Sequence, residues 1–144
     1  ANAASVARDI NDLAQIVGKA DSRPFLWEDG EWDYLPYPPL AGGTAEALAI
    51  NNHGQIVGFT SWGEGRAVLW EGGVAHDLIN LIDTNSGWTV LERATDINDA
   101  GQIVGWGQRQ GTSIWRAFLL TAVPEPTVGA LLFIGTLLGQ RRRA

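Results

Sequence analysis

Short apolar runs separated by polar turn residues recur three times along the chain. The first block of each copy ends in Gln-Ile-Val-Gly, and the three blocks occupy residues 7–18, 47–58 and 94–105. Their shared asparagines lie 40 and 47 residues apart. A second block, which begins Arg-x-apolar-Leu, occupies residues 23–27, 66–70 and 116–120. Repetition of this kind, in the same order each time, predicts a repeat architecture.

The turn in each copy is built on Asn-x-x-Gly. Asparagine can hydrogen-bond its own backbone and glycine adopts positive φ, so the pattern is typical of a tight turn between strands. The first copy has Ala14 at the glycine position, so we expect its turn to be strained or of another type. The turn residues are Asn11, Asn51, Asn98, Gly54 and Gly101.

Each copy predicts four short strands, because its apolar blocks are rich in β-branched and aromatic residues and are bounded by turns. We expect the repeats to span about residues 4–40, 41–87 and 88–121. A four-stranded unit of this length has the size of a β-propeller blade. A solenoid of hairpins is the alternative architecture.

The pattern Ala-x-x-Ile-Asn-x-x-Gly-Gln-Ile-Val-Gly, followed by Arg-Ala-apolar-Leu-Trp-x-x-Gly, resembles the HAF family of extracellular repeats. The resemblance covers about residues 4–121 and implies propeller-like blades in an exported protein, with no established activity. A propeller usually needs about four to eight blades to close. With three, we expect either an all-β, open partial propeller belonging to a longer array, or self-association that covers the open edges.

Residues 123–144 form a tail distinct from the repeats in 1–122. An apolar run over 128–139 separates a proline motif from an arginine cluster, and this plan resembles the PEP-CTERM sorting signal. The resemblance implies a short apolar helix in the inner membrane, export, and cleavage near the proline motif by an exosortase-type enzyme. The run is shorter than the ~30 Å hydrocarbon core, which favours a transient anchor. An amphipathic or core helix of the fold is the alternative. The motif residues are Val123, Pro124, Glu125, Pro126, Arg141, Arg142 and Arg143.

The amino-acid composition excludes several kinds of functional site. The chain has no cysteine, which excludes disulfides and thiolate metal sites. Its net charge is −6 and its only run of basic residues lies in the tail, which argues against nucleic-acid binding. The acidic cluster over residues 28–33 is interpreted as a solvated turn. With no recognisable catalytic motif, we expect a protein that is not an enzyme and carries no cofactor.

Residues 96–103 resemble the first half of a calcium-binding loop of EF-hand type. Asp96 and Asn98 stand at the first and third positions and Gly101 at the sixth. The twelfth position, where such a loop needs a bidentate carboxylate, is Gly107. A plain turn is therefore the preferred interpretation, and we expect no metal site.

The tryptophans fall into two groups. Trp27 and Trp70 occupy the same repeat position and are predicted to be core residues. Trp62, Trp106 and Trp115 lie in or beside the connection between the second and third strands, whose length differs between copies. Variable loops on a constant scaffold favour recognition. We expect a structural or matrix protein of the cell surface; the alternative is an exopolysaccharide-binding module that uses these three tryptophans.

Overall fold

The computed structural model describes residues 4–39, 41–123 and 132–137. Within these residues the chain is all-β and forms three antiparallel four-stranded sheets, each with its strands in sequence order. The first sheet contains β1 (Ser5–Ile10), β2 (Ile16–Ala20), β3 (Arg23–Glu28) and β4 (Glu31–Tyr34). The second contains β5 (Ala45–Ile50), β6 (Ile56–Thr60), β7 (Arg66–Glu71) and β8 (Val74–Asp77), followed by a 3₁₀ turn at Leu78–Asn80. The third contains β9 (Trp88–Ile97), β10 (Ile103–Arg109), β11 (Trp115–Val123) and β12 (Leu132–Leu137).

The tail provides the fourth strand of the third sheet, so the predicted apolar helix over this part of the chain is wrong. β12 pairs antiparallel with β11, from Phe118 opposite Leu137 to Val123 opposite Leu132. Two physical reasons favour a strand. The segment Leu-Phe-Ile-Gly-Thr-Leu is rich in strand-forming residues and contains a glycine that weakens a helix. β11 also offers an edge whose backbone groups need partners.

The other residues of the predicted sorting motif lie outside the described residues, except for Val123 at the end of β11. Pro124, Glu125 and Pro126 precede β12, and the arginines of residues 141–143 follow it. Among the described residues, no helix is long and apolar enough to cross a membrane.

The turn after the first strand has the same form in all three repeats. Gly54 and Gly101 have φ of +74° and +76°, and Ala14 has φ of +58° at the same position. A left-handed φ is costly for a residue with a Cβ. Of the two expectations for the first repeat, strain is confirmed.

The core lies between sheets, in two layers. The layer between the first and second repeats contains Val17, Ile50, Ile56, Val68 and Trp70. The layer between the second and third contains, among others, Val57, Leu69, Leu91, Ile97, Ile103, Phe118 and Leu120. The sheets therefore stack face to face, and each buries its apolar face only against a neighbouring repeat.

The structure separates the two tryptophans predicted to be core residues. Trp70 is 2% exposed and its Nε1 donates a hydrogen bond to the carbonyl of Pro36, at 2.7 Å. Trp27 is only half-buried, because it lies on the side of the first sheet that no other repeat covers. The prediction is confirmed for Trp70 alone.

Candidate functional site

The asparagine of each turn holds its own loop together. Asn51 Oδ1 accepts hydrogen bonds from the backbone N–H groups of His53 and Gln55, both at 3.0 Å. Its Nδ2 donates to Gln55 Oε1 at 2.7 Å. Asn11 makes the corresponding bonds to Leu13 and Gln15. This explains why the sequence repeats both Asn and the Gln four residues later.

The same asparagine also joins one repeat to the next. Asn11 Nδ2 donates to the carbonyl of Asn51 at 3.0 Å, and Asn51 Nδ2 donates to the carbonyl of Asn98 at 3.0 Å. Asn51 itself is 3% exposed, and both bonds are partly buried. Within the described residues, Asn98 Nδ2 donates only to Gln102 Oε1 of its own turn, at 2.8 Å. The three turn asparagines therefore form a ladder, a series of hydrogen bonds that joins each repeat to the next. Within the described residues this first ladder ends at Asn98.

A second ladder runs through the next residue of each turn. The N–H of Asp12 donates to Asn52 Oδ1, and the N–H of Asn52 donates to Asp99 Oδ1, both at 2.8 Å. Asn52 Nδ2 donates to Asp12 Oδ2 at 2.9 Å and to Asp99 Oδ2 at 2.8 Å. The two bonds from Asn52, first from its backbone and then from its side chain, lower the pKa of Asp99 below its ordinary value of 3.8.

This ladder accounts for the residues that resemble half a calcium loop. Asp99 has both carboxylate oxygens bonded to Asn52, and Asp96 Oδ1 accepts from the N–H of Ile97 at 2.9 Å. Across residues 4–39, 41–123 and 132–137, no group of three or more His, Cys, Asp or Glu side chains is placed to hold a metal ion. The acidic side chains of these turns bond to the neighbouring repeat or to their own backbone.

Ion pairs reinforce the repeats at two points. Glu46 of β5 is buried and pairs with Arg8 of β1 and, at 3.4 Å, with Lys19 of β2, so it links the first two repeats. Within the second repeat, Arg66 Nη1 lies 2.5 Å from Asp77 Oδ2. A buried carboxylate needs such partners to offset its desolvation.

A cleft of about 420 Å³ lies between the second and third repeats. Polar groups from both sides line it, together with the Trp62 ring, which is 54% exposed. The Arg66–Asp77 pair lies in its wall, and Asn80 and Thr89 contribute further hydrogen-bonding groups. The cleft thus combines an exposed aromatic face with a few fixed polar groups, which suits a small polar ligand such as a sugar.

The structure does not bring the three predicted ligand tryptophans together. Trp106 is half-buried on β10, and its Nε1 donates to Glu92 Oε2 at 2.8 Å. Trp115 is exposed at the start of β11, where it opposes Gln108. Because side chains alternate along a strand, Trp106 and Trp115 share the face of the third sheet that is turned away from the second repeat. Only Trp62 lines the cleft.

Sequence reasoning missed the other residues of the cleft. Asp77 ends β8, and Asn80 belongs to the 3₁₀ turn that follows. Neither lies in a repeated block, so no spacing singled them out. Comparison of the chain with family models, with curated proteins and with solved structures finds no match.

Proposed function

We propose that this chain is a structural or interaction protein of the bacterial cell surface, without catalytic activity, whose three sheets are propeller-like blades. The observation that carries the proposal is the double ladder of side-chain bonds between repeats. Asn11 and Asn51 of the first ladder, and Asn52 and Asp99 of the second, join the repeats. The polar residues that most resemble a chemical site are engaged in holding a scaffold together.

The tail supports export to the surface. Its proline motif, apolar run and terminal arginines have the order expected of an exosortase substrate. Under this proposal the apolar run separates from β11 and anchors the chain briefly in the inner membrane. The chain is then cut near Pro124-Glu125-Pro126 and displayed or released. Its partners are the exosortase-type enzyme and the surface matrix.

Intact mass spectrometry tests the sorting step. The chain is expressed with its tail in a host that carries an exosortase, and the recovered protein is weighed. We expect loss of the segment after the proline motif, and an unchanged mass for a control in which Pro124 and Pro126 are both replaced by alanine. A full-length mass for the unaltered chain would contradict the proposal.

The cleft favours a second function, the binding of surface polysaccharide. Its specific support is the exposed Trp62 ring beside the Arg66–Asp77 pair, since sugars stack on aromatic faces and bond to fixed polar groups. Affinity electrophoresis in gels containing exopolysaccharide tests it. We expect Trp62→Ala to abolish retardation and Trp115→Ala, which removes an exposed ring outside the cleft, to leave it intact. Equal retardation of both variants and the unaltered chain would contradict polysaccharide binding at the cleft.

A further inference from the structure

The same kind of interface between repeats occurs twice, once between the first and second repeats and once between the second and third. We call the side of a repeat that packs on the following repeat its forward face, and the side that packs on the preceding repeat its backward face. Val57, Ala67 and Leu69 form the forward face of the second repeat, and all are fully buried. Ile50 and Trp70 belong to the backward face of the same repeat. Among the described residues, no repeat covers the backward face of the first repeat or the forward face of the third repeat.

The forward face of the third repeat is the first open surface. Val104 and Leu119 stand where Val57 and Leu69 stand in the second repeat, yet both are half-buried. Ala117, the counterpart of Ala67, is exposed. Asp96, Asn98, Gln102, Val104 and Leu119 line a depression of about 210 Å³ on this face.

The backward face of the first repeat is the second open surface. Ile10 is 59% exposed, whereas its counterparts Ile50 and Ile97 are 5% and 7% exposed. Trp32 is 46% exposed at the position where the second repeat has the buried Ala75. An apolar surface of this kind is typical of an interface.

Most hydrogen-bonding groups at the two ends are complementary; the exception is Asp99 and Asp12, two carboxylates that at the internal interfaces are each bonded by the Asn52 amide. At the internal interfaces an Asn Nδ2 donates to the next Asn carbonyl, and the N–H of the following residue donates to the side-chain oxygen of its counterpart. Asp9 Oδ2 also accepts from the N–H of Ile50 at 2.9 Å. The third repeat carries the same groups on Asn98, Asp99 and Asp96, and among the described residues none of them bonds to a further repeat.

We propose that the forward face of the third repeat binds the backward face of the first repeat in a second copy of this chain. The occupant is a second copy because the two open faces are the two halves of an interface that the chain already forms twice. In the complex Asn98 Nδ2 donates to the carbonyl of Asn11, and Ile10 covers Val104 and Leu119. Such a head-to-tail contact either closes into a ring or extends into a chain.

Two substitutions block one face each. Ile10→Glu puts a charge on the backward face, and Ala117→Glu puts one on the forward face. Both residues are exposed in a single copy, so folding is expected to survive. The counterparts Ile50 and Ala67 are buried, so neither charge is tolerated within the interface. Val74→Glu is the matched control, since Val74 is 52% exposed on β8 of the second repeat and therefore belongs to neither open face.

Light scattering after size-exclusion chromatography measures the mass of the assembly, with each chain comprising residues 1–144 and examined at several concentrations. We expect two or more times the single-chain mass of 15.5 kDa for the unaltered chain and for Val74→Glu. Each blocked variant alone is expected at the single-chain mass. An equimolar mixture of the two blocked variants is expected at twice that mass, because each supplies the face that the other lacks.

Three results would overturn the proposal: a single-chain mass for the unaltered protein at every concentration, association of either blocked variant alone, or a mixture that stays at the single-chain mass. The second result would mean that like faces meet or that another surface is used. Circular dichroism checks that each variant keeps its β signal. A variant that loses this signal is replaced by Trp32→Glu for the backward face or Trp115→Glu for the forward face, and the same outcomes apply.

Discussion

At the residue scale, the repeated asparagine stabilises its own turn and also bonds to the next repeat. Substitutions can separate these two contributions to the free energy of unfolding. Asn51 and Asn98 make the same bond to the glutamine four residues later. Only Asn51 also donates to a following repeat, and only Asn51 is buried. The cost of removing a buried bonding group exceeds that of an exposed one, because the partners left behind cannot turn to water.

We predict that Asn51→Ala lowers the free energy of unfolding by about 2–3 kcal/mol, whereas Asn98→Ala lowers it by about 1 kcal/mol. Asn98 serves as the control because it keeps the turn chemistry without the inter-repeat bond. Urea unfolding followed by tryptophan fluorescence measures both. Equal losses would show that the bond to the next repeat contributes nothing.

The glycine that ends Gln-Ile-Val-Gly is required by a close backbone approach. A Cβ on Gly58 would lie 1.9 Å from the carbonyl oxygen of Glu46, and Gly18 and Gly105 have the same contact with the first strand of their repeats. The paired first strand carries an irregularity at this point, between Ala47 and Ala49. Glycine is therefore required at this position of each repeat, because the backbone of the first strand lies too close to the second strand to leave room for a Cβ.

Gly58→Ala is therefore expected to destabilise the protein by about 3 kcal/mol, since the backbone of β5 has to move. Gly42→Ala is the matched control. Its Cβ would meet only the Trp62 ring, at 3.4 Å, so a change within about 0.5 kcal/mol is expected. Thermal unfolding of the two variants compares them directly, and similar losses at both positions would refute the steric argument.

At the element scale, the third repeat is completed differently from the other two. β3 and β7 each continue through a tight turn into their fourth strand. β11 instead pairs with β12, which begins nine residues after β11 ends. The outer edge of the third sheet is thus covered by part of the proposed sorting tail.

Removal of residues 124–144 is predicted to expose the outer edge of β11. We expect its β12-facing amides to exchange hydrogen about tenfold faster or more, because an edge without a partner opens at little cost. Hydrogen exchange read by mass spectrometry measures this, with β7 as the internal control because its partner β8 remains. Unchanged exchange in β11 would mean that β12 gives the edge no protection.

The sequence predicted four strands per copy because the same blocks recur, but it did not place the fourth strand of the third copy in the tail, at β12. Repetition places strands wherever a copy matches, and the third copy has no match after Leu120. An apolar run that ends in arginines fits a membrane helix as well as a strand, and the free edge of β11 decided between them. Similarly, Ala14 indicated strain, but no local pattern showed that Trp27 would lie on an uncovered face.

At the scale of the whole molecule, the sheets are held by layers between repeats rather than by a single core. Contacts between repeats join residues far apart in the chain, such as Asn52 with Asp12, 40 positions away, and with Asp99, 47 positions away. No spacing within one copy reveals them, which is why the turn residues could be named from the sequence but their inter-repeat bonds could not. The cleft around Trp62 went unrecognised for the same reason.

The second ladder makes the junction of the second and third repeats sensitive to acid. Bonds from Asn52 hold the pKa of Asp99 below 3.8, so the folded state favours the carboxylate. A depressed pKa contributes stability that is full above the unfolded value and is lost as the pH falls through the folded value.

We therefore predict that the unaltered chain loses more unfolding free energy than Asp99→Asn when the pH is lowered from neutral to well below 3.8. Asparagine keeps an acceptor for the N–H of Asn52 but does not titrate. The difference in free energy of unfolding between the two proteins should therefore narrow only in that acid range. Asp33→Asn, which alters an exposed carboxylate on β4, is the control and should follow the unaltered chain. Urea unfolding at a series of pH values measures all three. Parallel curves for Asp99→Asn and the unaltered chain would show that protonation of Asp99 does not weaken the junction, and that the acid response of the molecule arises at another carboxylate.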